Sequence, residues 1–518
     1  MPTNVHSIEN LSPRVLLVIM DGFGQNPKDL KNAIKAAKKP NLDEIFSHYP
    51  FTTIESGGES VGLPKGVSGN SEVGHLNLGA GRPVRQDLVR INESIQKDTL
   101  KGMPNLLELI SKTKTNTKRL HLMGLLSDGG VHSHINHLKE ILSILRNHPE
   151  IEVYLHAFTD GRDTSKDKGI TYVKDILSHT GFIFASMGGR SIGMDRDRRW
   201  QKIEHAYKTM IGEGKKTNLN PIDYIQEEYN KGIFDEFITP VLFNENGAIK
   251  NGDSVFFFNY RPDRARQITL AMNDPGFNEF SVPVKPGYFL CMTPYVQDEL
   301  PHLPVLFDKE KIKGTLAEYL SKLGKKQFKI AETEKYAHVT YFFNGGEETP
   351  FPGEERTLVQ SPRDVATYDE KPQMSALEVT DKLLKALDQK DFTLYIVNFA
   401  NADMVGHTGN YEAAVKAIET VDSCVGKLFH KCATENITMI LTADHGNADQ
   451  MVYEDGGPHT SHSDANVPFC VVHPNLRGQK IMINSESEIL ALKDVAPTIL
   501  KVLNIQKPIE FTGNSIFV

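Results

Sequence analysis

The sequence predicts an α/β protein with largely parallel sheets. Short apolar runs alternate with longer amphipathic stretches along the chain, and the runs are continuous rather than alternating, as strands buried on both faces read. At 518 residues the chain also exceeds what one hydrophobic core usually serves, so two domains are expected.

In chain order the predicted strands are VLLVIM (Val15 to Met20), LHLMGLL (Leu120 to Leu126), VYLHAF (Val153 to Phe158), FIFASM (Phe182 to Met187), VFFFNY (Val255 to Tyr260), LYIVNF (Leu394 to Phe399) and ITMILTA (Ile437 to Ala443). Residues before the first run read as a short frayed extension. The first run and the last two lead to acids: Asp21, Asp403, and Asp444 followed at once by His445. The middle runs lead to "SDGGVHSH", "TDGRDT", "GGRSIGMDRDRRW" and "RPDRAR", which carry His132, Arg162, Asp163, Arg190, Arg196, Arg261 and Arg264. Ligands in open parallel sheets bind beyond the carboxyl ends of the strands. Any one of these acids reads as a helix cap and any one arginine as a surface residue; together they mark two constellations.

If Asp21 is to meet Asp403 and Asp444, the two ends of the chain fold together around an inserted middle. Crossings suit "GAGRPVRQ" (Gly79 to Gln86) and the Pro-rich stretch Thr293 to Phe307, giving residues 1–85 with 308–518 as one domain and 86–307 as the insertion.

The terminal constellation has the chemistry of a metal site. Asp403 and His407 are one helical turn apart, and "PHTSHSD" adds His459 and His462. The neighbours Asp444 and His445 are expected to diverge toward different ions. Carboxylates mixed with imidazoles and no thiolate favour Mn or Zn, and paired ions of this kind serve phosphoryl transfer. Ser71 lies in the glycine-rich "GVSGNSEVGH", which reads as a loop rather than a helix or strand. A divalent ion on its oxygen would make the hydroxyl a nucleophile, with Asn70 and nearby N–H groups to hold phosphate oxygens. The arginines of the middle suit a small polyanion, since guanidinium matches phosphate and carboxylate oxygens two at a time. "HSHINH" (His132 to His137) looks metal-like, but it lacks a carboxylate at helical spacing and reads as surface histidine.

A net charge of -8 and 39% hydrophobic residues describe an ordinary soluble protein and give no support to nucleic acid as a partner. The N-terminus lacks an apolar leader and no run is long enough for a bilayer, so a cytoplasmic setting without a membrane partner is expected. Cys291, Cys424, Cys432 and Cys470 form no CxxC pair, which suits a reducing compartment.

Taken in order, "MDGFG", "GNSEVGHLNLGAGR", "SDGGVHSH", "FTDGRDT", "NYRPDRARQ", "AETEKYAHVTYFFNGG", "NADMVGHTGN", "TADHGNAD" and "PHTSHS" resemble the cofactor-independent phosphoglycerate mutases over nearly the whole chain. The resemblance implies an alkaline-phosphatase-like domain interrupted by a transferase-like one. It implies interconversion of 2- and 3-phosphoglycerate in glycolysis and gluconeogenesis through a phosphoserine, with two Mn²⁺ ions, no 2,3-bisphosphoglycerate, and a monomer. It makes Ser71 the phosphoryl acceptor. One metal would fall to Asp403, His407 and His462, the other to Asp21, Asp444, His445 and the Ser71 oxygen. Phosphoglycerate would be held by His132, Arg162, Asp163, Arg190, Arg196, Arg261 and Arg264, with Lys335 from the other domain, and Asp163 would exchange protons with the glycerate hydroxyls. His459 receives no ligand role. A phosphatase or phosphopentomutase on the same scaffold would keep the metals and Ser71 but need not keep the arginine loops; an anion-binding protein without catalysis would tolerate loss of Ser71.

Overall fold

The computed structural model describes residues 7–29, 31–309, 311–454, 456–484 and 489–518. The chain divides into two compact units, Met1–Gln86 with Lys311–Val518, and Asp87–Glu310.

The first unit is built on a seven-stranded sheet. Its strands are β1 (Val15–Met20), β2 (Phe51–Ile54), β9 (Gln327–Glu332), β10 (Glu354–Val359), β11 (Leu394–Phe399), β12 (Thr438–Thr442) and β13 (Val467–Val472), in the order β10-β9-β11-β1-β12-β13-β2. The five strands from β10 to β12 are parallel, and β13 and β2 close the sheet antiparallel. The second unit holds β3 (Arg119–Leu126), β4 (Glu152–Thr159), β5 (Ile183–Gly189), β6 (Val241–Leu242), β7 (Ser254–Phe257) and β8 (Tyr288–Cys291), in the order β6-β5-β4-β3-β7-β8, with only β6 antiparallel. The predicted α/β class with largely parallel sheets is the class observed.

Continuous apolar runs form these strands because helices cover both sheet faces. In the second unit the two faces build separate cores: Leu120, Leu122 and Phe256 belong to one, Met123, Leu125, Val255 and Phe257 to the other. This is the two-residue period of a strand.

Three expectations need correction. The run Val255 to Tyr260 leaves the ladder after Phe257, where the Asn259 side chain accepts the Leu125 N–H at 2.8 Å and the Tyr260 N–H reaches the His132 carbonyl at 2.8 Å. The side chain replaces a strand partner, and the chain turns toward its arginines. The run Phe182 to Met187 is shifted, as β5 begins at Ile183 and continues to Gly189. The stretch before Val15, where described, is packed: Ile8 and Ser12 are buried, and Ser12 Oγ donates to the Asn436 carbonyl at 2.6 Å. The cysteines are buried and unpaired. No helix among the described residues is long and apolar enough to cross a membrane.

Candidate functional site

β11, β1 and β12 are neighbours in register, Met20 opposite Phe399 and Ile19 opposite Thr442. The residues just past their carboxyl ends therefore share one edge, and Asp21, Asp403 and Asp444 meet there, all buried. Lys335, three residues past β9 on the same edge, places Nζ 2.8 Å from Asp21 Oδ1, 2.6 Å from Asp403 Oδ2 and 2.8 Å from Ser71 Oγ.

Ser71 opens the helix Ser71–Ala80, which corrects the loop expected there. Asn70 caps it, its side chain accepting the Val73 N–H at 3.0 Å, and burial outweighs the poor helix propensity of the glycines. Gly74 is required at its position: a Cβ there would meet Asp444 Cβ at 2.7 Å. That close approach leaves Ser71 Oγ 2.9 Å from His445 Nε2 and 3.3 Å from Asp21 Oδ1.

Two groups of ligand atoms form, Asp21 with Asp444 and His445, and Asp403 with His445 and His462. His407 joins the second, its Nε2 3.1 Å from Asp403 Oδ1 and 3.1 Å from His462 Nε2. Asp444 and His445 converge instead of diverging, with His445 Nε2 3.6 Å from Asp444 Oδ2, because the segment after β12 is not a strand and its side chains do not alternate.

The charges fit divalent cations. Burial pushes the Asp21 carboxyl up, and Asp444 and Asp403 add to this against Lys335 and His445. Burial also works against ionised Asp403, but Lys335, His407 and His462 hold it well below the ordinary carboxylate range. Three buried carboxylates thus face one lysine. Asp444 Oδ2 is buried without a hydrogen-bond donor, and the His407 and His462 nitrogens converge on one Asp403 oxygen. A cation in each of the two groups would satisfy these atoms.

Around this set lie residues the sequence reading did not single out. Asn398 on β11 donates to Asp21 Oδ2 at 2.8 Å, and His75 stands 3.3 Å from Asp444 Oδ2 while bonding the Ser71 carbonyl at 2.9 Å. Asn447 donates to Asp403 Oδ1 at 2.8 Å. His75 sits one helical turn after Ser71, a spacing that could have revealed it. His459 is buried against the Tyr453 ring, outside both ligand groups.

In the second unit the loops after β3, β4, β5 and β7 share a carboxyl edge. Arg190 Nη1 bonds Asp160 Oδ1 and Asp163 Oδ2, both at 2.5 Å, and its Nε is buried without a partner. Asp263 gathers Arg196 at 3.0 Å, Arg261 at 3.3 Å and His132 Nδ1 at 3.5 Å. Asp160 and Asp263 lie inside the same loops as these arginines, and sequence spacing alone does not show which acid pairs with which arginine. Burial, then Arg190, lowers His132 to about 4, so it stays neutral near pH 7. Burial and the repulsion of Arg190, Arg196 and Arg162 lower Arg264, as in a site waiting for negative charge. Arg162 is largely exposed, 3.6 Å from Glu236. The histidines of "HSHINH" are not surface residues as expected: His132 and His137 are buried, His137 bonds Asn92 and His134 caps the helix Ile135–Leu145, and neither His134 nor His137 enters a metal group among the described residues.

The chain matches the family model of the Metalloenzyme superfamily over residues 13–507. It is 47% identical to the 2,3-bisphosphoglycerate-independent phosphoglycerate mutase of Clostridium novyi, covering 97% of this chain and 99% of the relative. The enzyme of the same name from Clostridioides difficile is 48% identical over 97% of this chain and 98% of its own length. Among solved structures, Leishmania mexicana phosphoglycerate mutase at low cobalt concentration aligns over 98% of both chains, with a TM-score of 0.68 and 29% identity.

Proposed function

The chain belongs to the 2,3-bisphosphoglycerate-independent phosphoglycerate mutases, within the Metalloenzyme superfamily, and we infer that it interconverts 2- and 3-phosphoglycerate through a phosphoserine at Ser71. The observation that carries this reading is the Ser71 hydroxyl itself. It lies at a helix start, within 2.8 to 3.3 Å of Lys335, His445 and Asp21.

Asp403, His407 and His462 would hold one divalent ion, and Asp21, Asp444, His445 and the Ser71 oxygen a second; when bound, such ions would supply a lowered hydroxyl pKa and positive charge for the phosphoryl group. Mn²⁺ suits this imidazole-rich set. Lys335, kept protonated by the surrounding carboxylates against its own burial, adds a fixed cation beside the serine oxygen. Ser71 Oγ bonds to phosphorus as the bond from phosphorus to the glycerate oxygen breaks; the freed glycerate, held through its carboxylate by the arginines, turns, and its other hydroxyl oxygen takes the group back as the bond to Ser71 Oγ breaks. Asp163, oriented by Arg190, accepts the proton of the attacking hydroxyl and returns one to the other. The protein works in this proposal as a cytoplasmic monomer on a small-molecule substrate, without nucleic acid or membrane.

The test is to supply 3-phosphoglycerate without any bisphosphoglycerate. It should reach equilibrium with 2-phosphoglycerate with little free phosphate, labelled glycerate should not enter the product, and Ser71→Ala should abolish turnover while retaining metal. Rapid phosphate release with no isomer would make the protein a phosphatase, and an active Ser71→Ala variant would remove the phosphoserine.

A further inference from the structure

Asp235 is a fully buried carboxylate of the second unit that is not among the residues assigned to the substrate. It lies in the short turn Asp235–Phe237, and three of its bonds run to the two ends of the loop that presents Arg162 and Asp163. Its Oδ2 accepts the N–H of Gly169 at 2.6 Å, its own N–H donates to the Lys166 carbonyl at 2.9 Å, and its carbonyl accepts Thr159 Oγ1 at 2.6 Å. Tyr229 donates its hydroxyl to the other carboxylate oxygen.

Gly169 begins the helix Gly169–Leu177, whose own N-cap residue, Lys168, offers no side-chain bond. A helix start needs acceptors for its free N–H groups, and here the acceptor comes from a distant segment. The packing leaves no slack. A Cβ on Gly161 would meet Asp235 Cβ at 2.8 Å, and one on Gly169 would meet its carboxylate at 2.5 Å. The same turn reaches the neighbouring strand end, where the Gly189 N–H donates to the Ile238 carbonyl at 2.7 Å, one residue before Arg190.

We propose that Asp235 is a positioning residue for substrate binding: it anchors both ends of loop 160–168 and so fixes Arg162 and Asp163 where phosphoglycerate needs them. Burial pushes its carboxyl up to about 6, with Tyr229 and Gly169 opposing and Asp167 and Asp160 adding to the rise. It is therefore ionised at pH 8, when both donors are satisfied. The proposal rests on the reading that Arg162 and Asp163 meet the substrate.

Three variants test it, with Mn²⁺ saturating at pH 8. Asp235→Ala should raise KM for 3-phosphoglycerate at least fivefold in protein whose metal affinity is unchanged. Asp235→Asn, which keeps an acceptor for Gly169, should stay within twofold of the parent, and Tyr229→Phe should raise KM two- to threefold. A merely structural role would reduce the active fraction, lowering kcat and leaving KM alone. Arg162→Ala is the control. If it raises KM while Asp235→Ala and Tyr229→Phe do not, the proposal is overturned and the substrate reading stands; if Arg162→Ala and Asp163→Asn are both silent, the substrate reading fails and the proposal with it. Should Asp235→Ala not fold, Tyr229→Phe decides, and an unchanged KM there overturns the anchoring role.

Discussion

Glu332, the last residue of β9 and three before Lys335, is almost completely buried, with Ser361 Oγ donating to it at 2.9 Å. Burial raises its carboxyl to about 7, Glu334 adding to this while Ser361 and the Ser375 backbone oppose it. The folded-state value thus lies above the ordinary 4.5. The neutral acid favours the folded state, and this stabilisation is complete below pH 4.5 and lost as pH rises through 7. The separation is on the order of 3 kcal/mol. Glu332→Gln, neutral at every pH, should raise the melting temperature at pH 8 and change it little at pH 5; equal destabilisation at both would show that the charge is wanted. Glu332 could be read as no more than a strand-end acid, since only the folded sheet reveals how little water reaches it. Residues on charged motifs were more legible. Asp21, Asp403, Asp444 and the arginines stood out by following apolar runs, whereas Asn398 and His75 interrupt apolar or glycine-rich stretches with no motif of their own.

The helix Ser71–Ala80 shows where reading an element from sequence runs out. Its glycines and asparagine resemble a loop because propensity counts only what each residue does alone, and propensity is a weak prior against tertiary packing. Gly74 is small so that the helix can lie against Asp444, and Asn70 ends the preceding chain by capping Val73. Gly74→Ala sets two effects against each other. Alanine improves helix propensity by about 1 kcal/mol, but its methyl would overlap a buried aspartate and force Ser71 and Asp444 apart, at a cost of about 1–3 kcal/mol. The overlap should win locally. We expect a melting temperature lowered modestly or unchanged, Mn²⁺ affinity reduced at least tenfold, and little turnover. Parent-like metal affinity in this variant would show that the helix can move without disturbing Asp444. The element boundaries that did follow from sequence, those of β1, β3, β4, β11 and β12 to within a residue at each end, belong to runs that are largely apolar.

For the molecule as a whole, the decisive sequence feature was the distance between matching parts: acids suited to one site lie at both chain ends, separated by loops with different chemistry. The fold resolves this with two units, each with its own sheet, the first with one core and the second with a core on each sheet face. Every metal-type group among the described residues lies in the first unit, which leads to a thermodynamic prediction. A ligand that binds only the folded state stabilises it by about 2.7 kcal/mol at a hundredfold excess over its Kd, and only the unit that holds the ligand gains this directly. In the absence of metal, three buried carboxylates share Lys335, so that unit should also be the weaker one. Calorimetry of the chelated protein should therefore resolve two transitions, and Mn²⁺ should move the lower one upward by several degrees while leaving the other in place. Activity should disappear with the chelator and return with Mn²⁺ more fully than with Mg²⁺, since imidazole ligands suit the former. Falling pH should reverse the metal-induced shift, because His407, His445 and His462 bind a metal only when neutral. A single transition that moves as one with Mn²⁺ would mean that the units unfold together, and a shift confined to the second transition would place the metal outside the acids of the first unit.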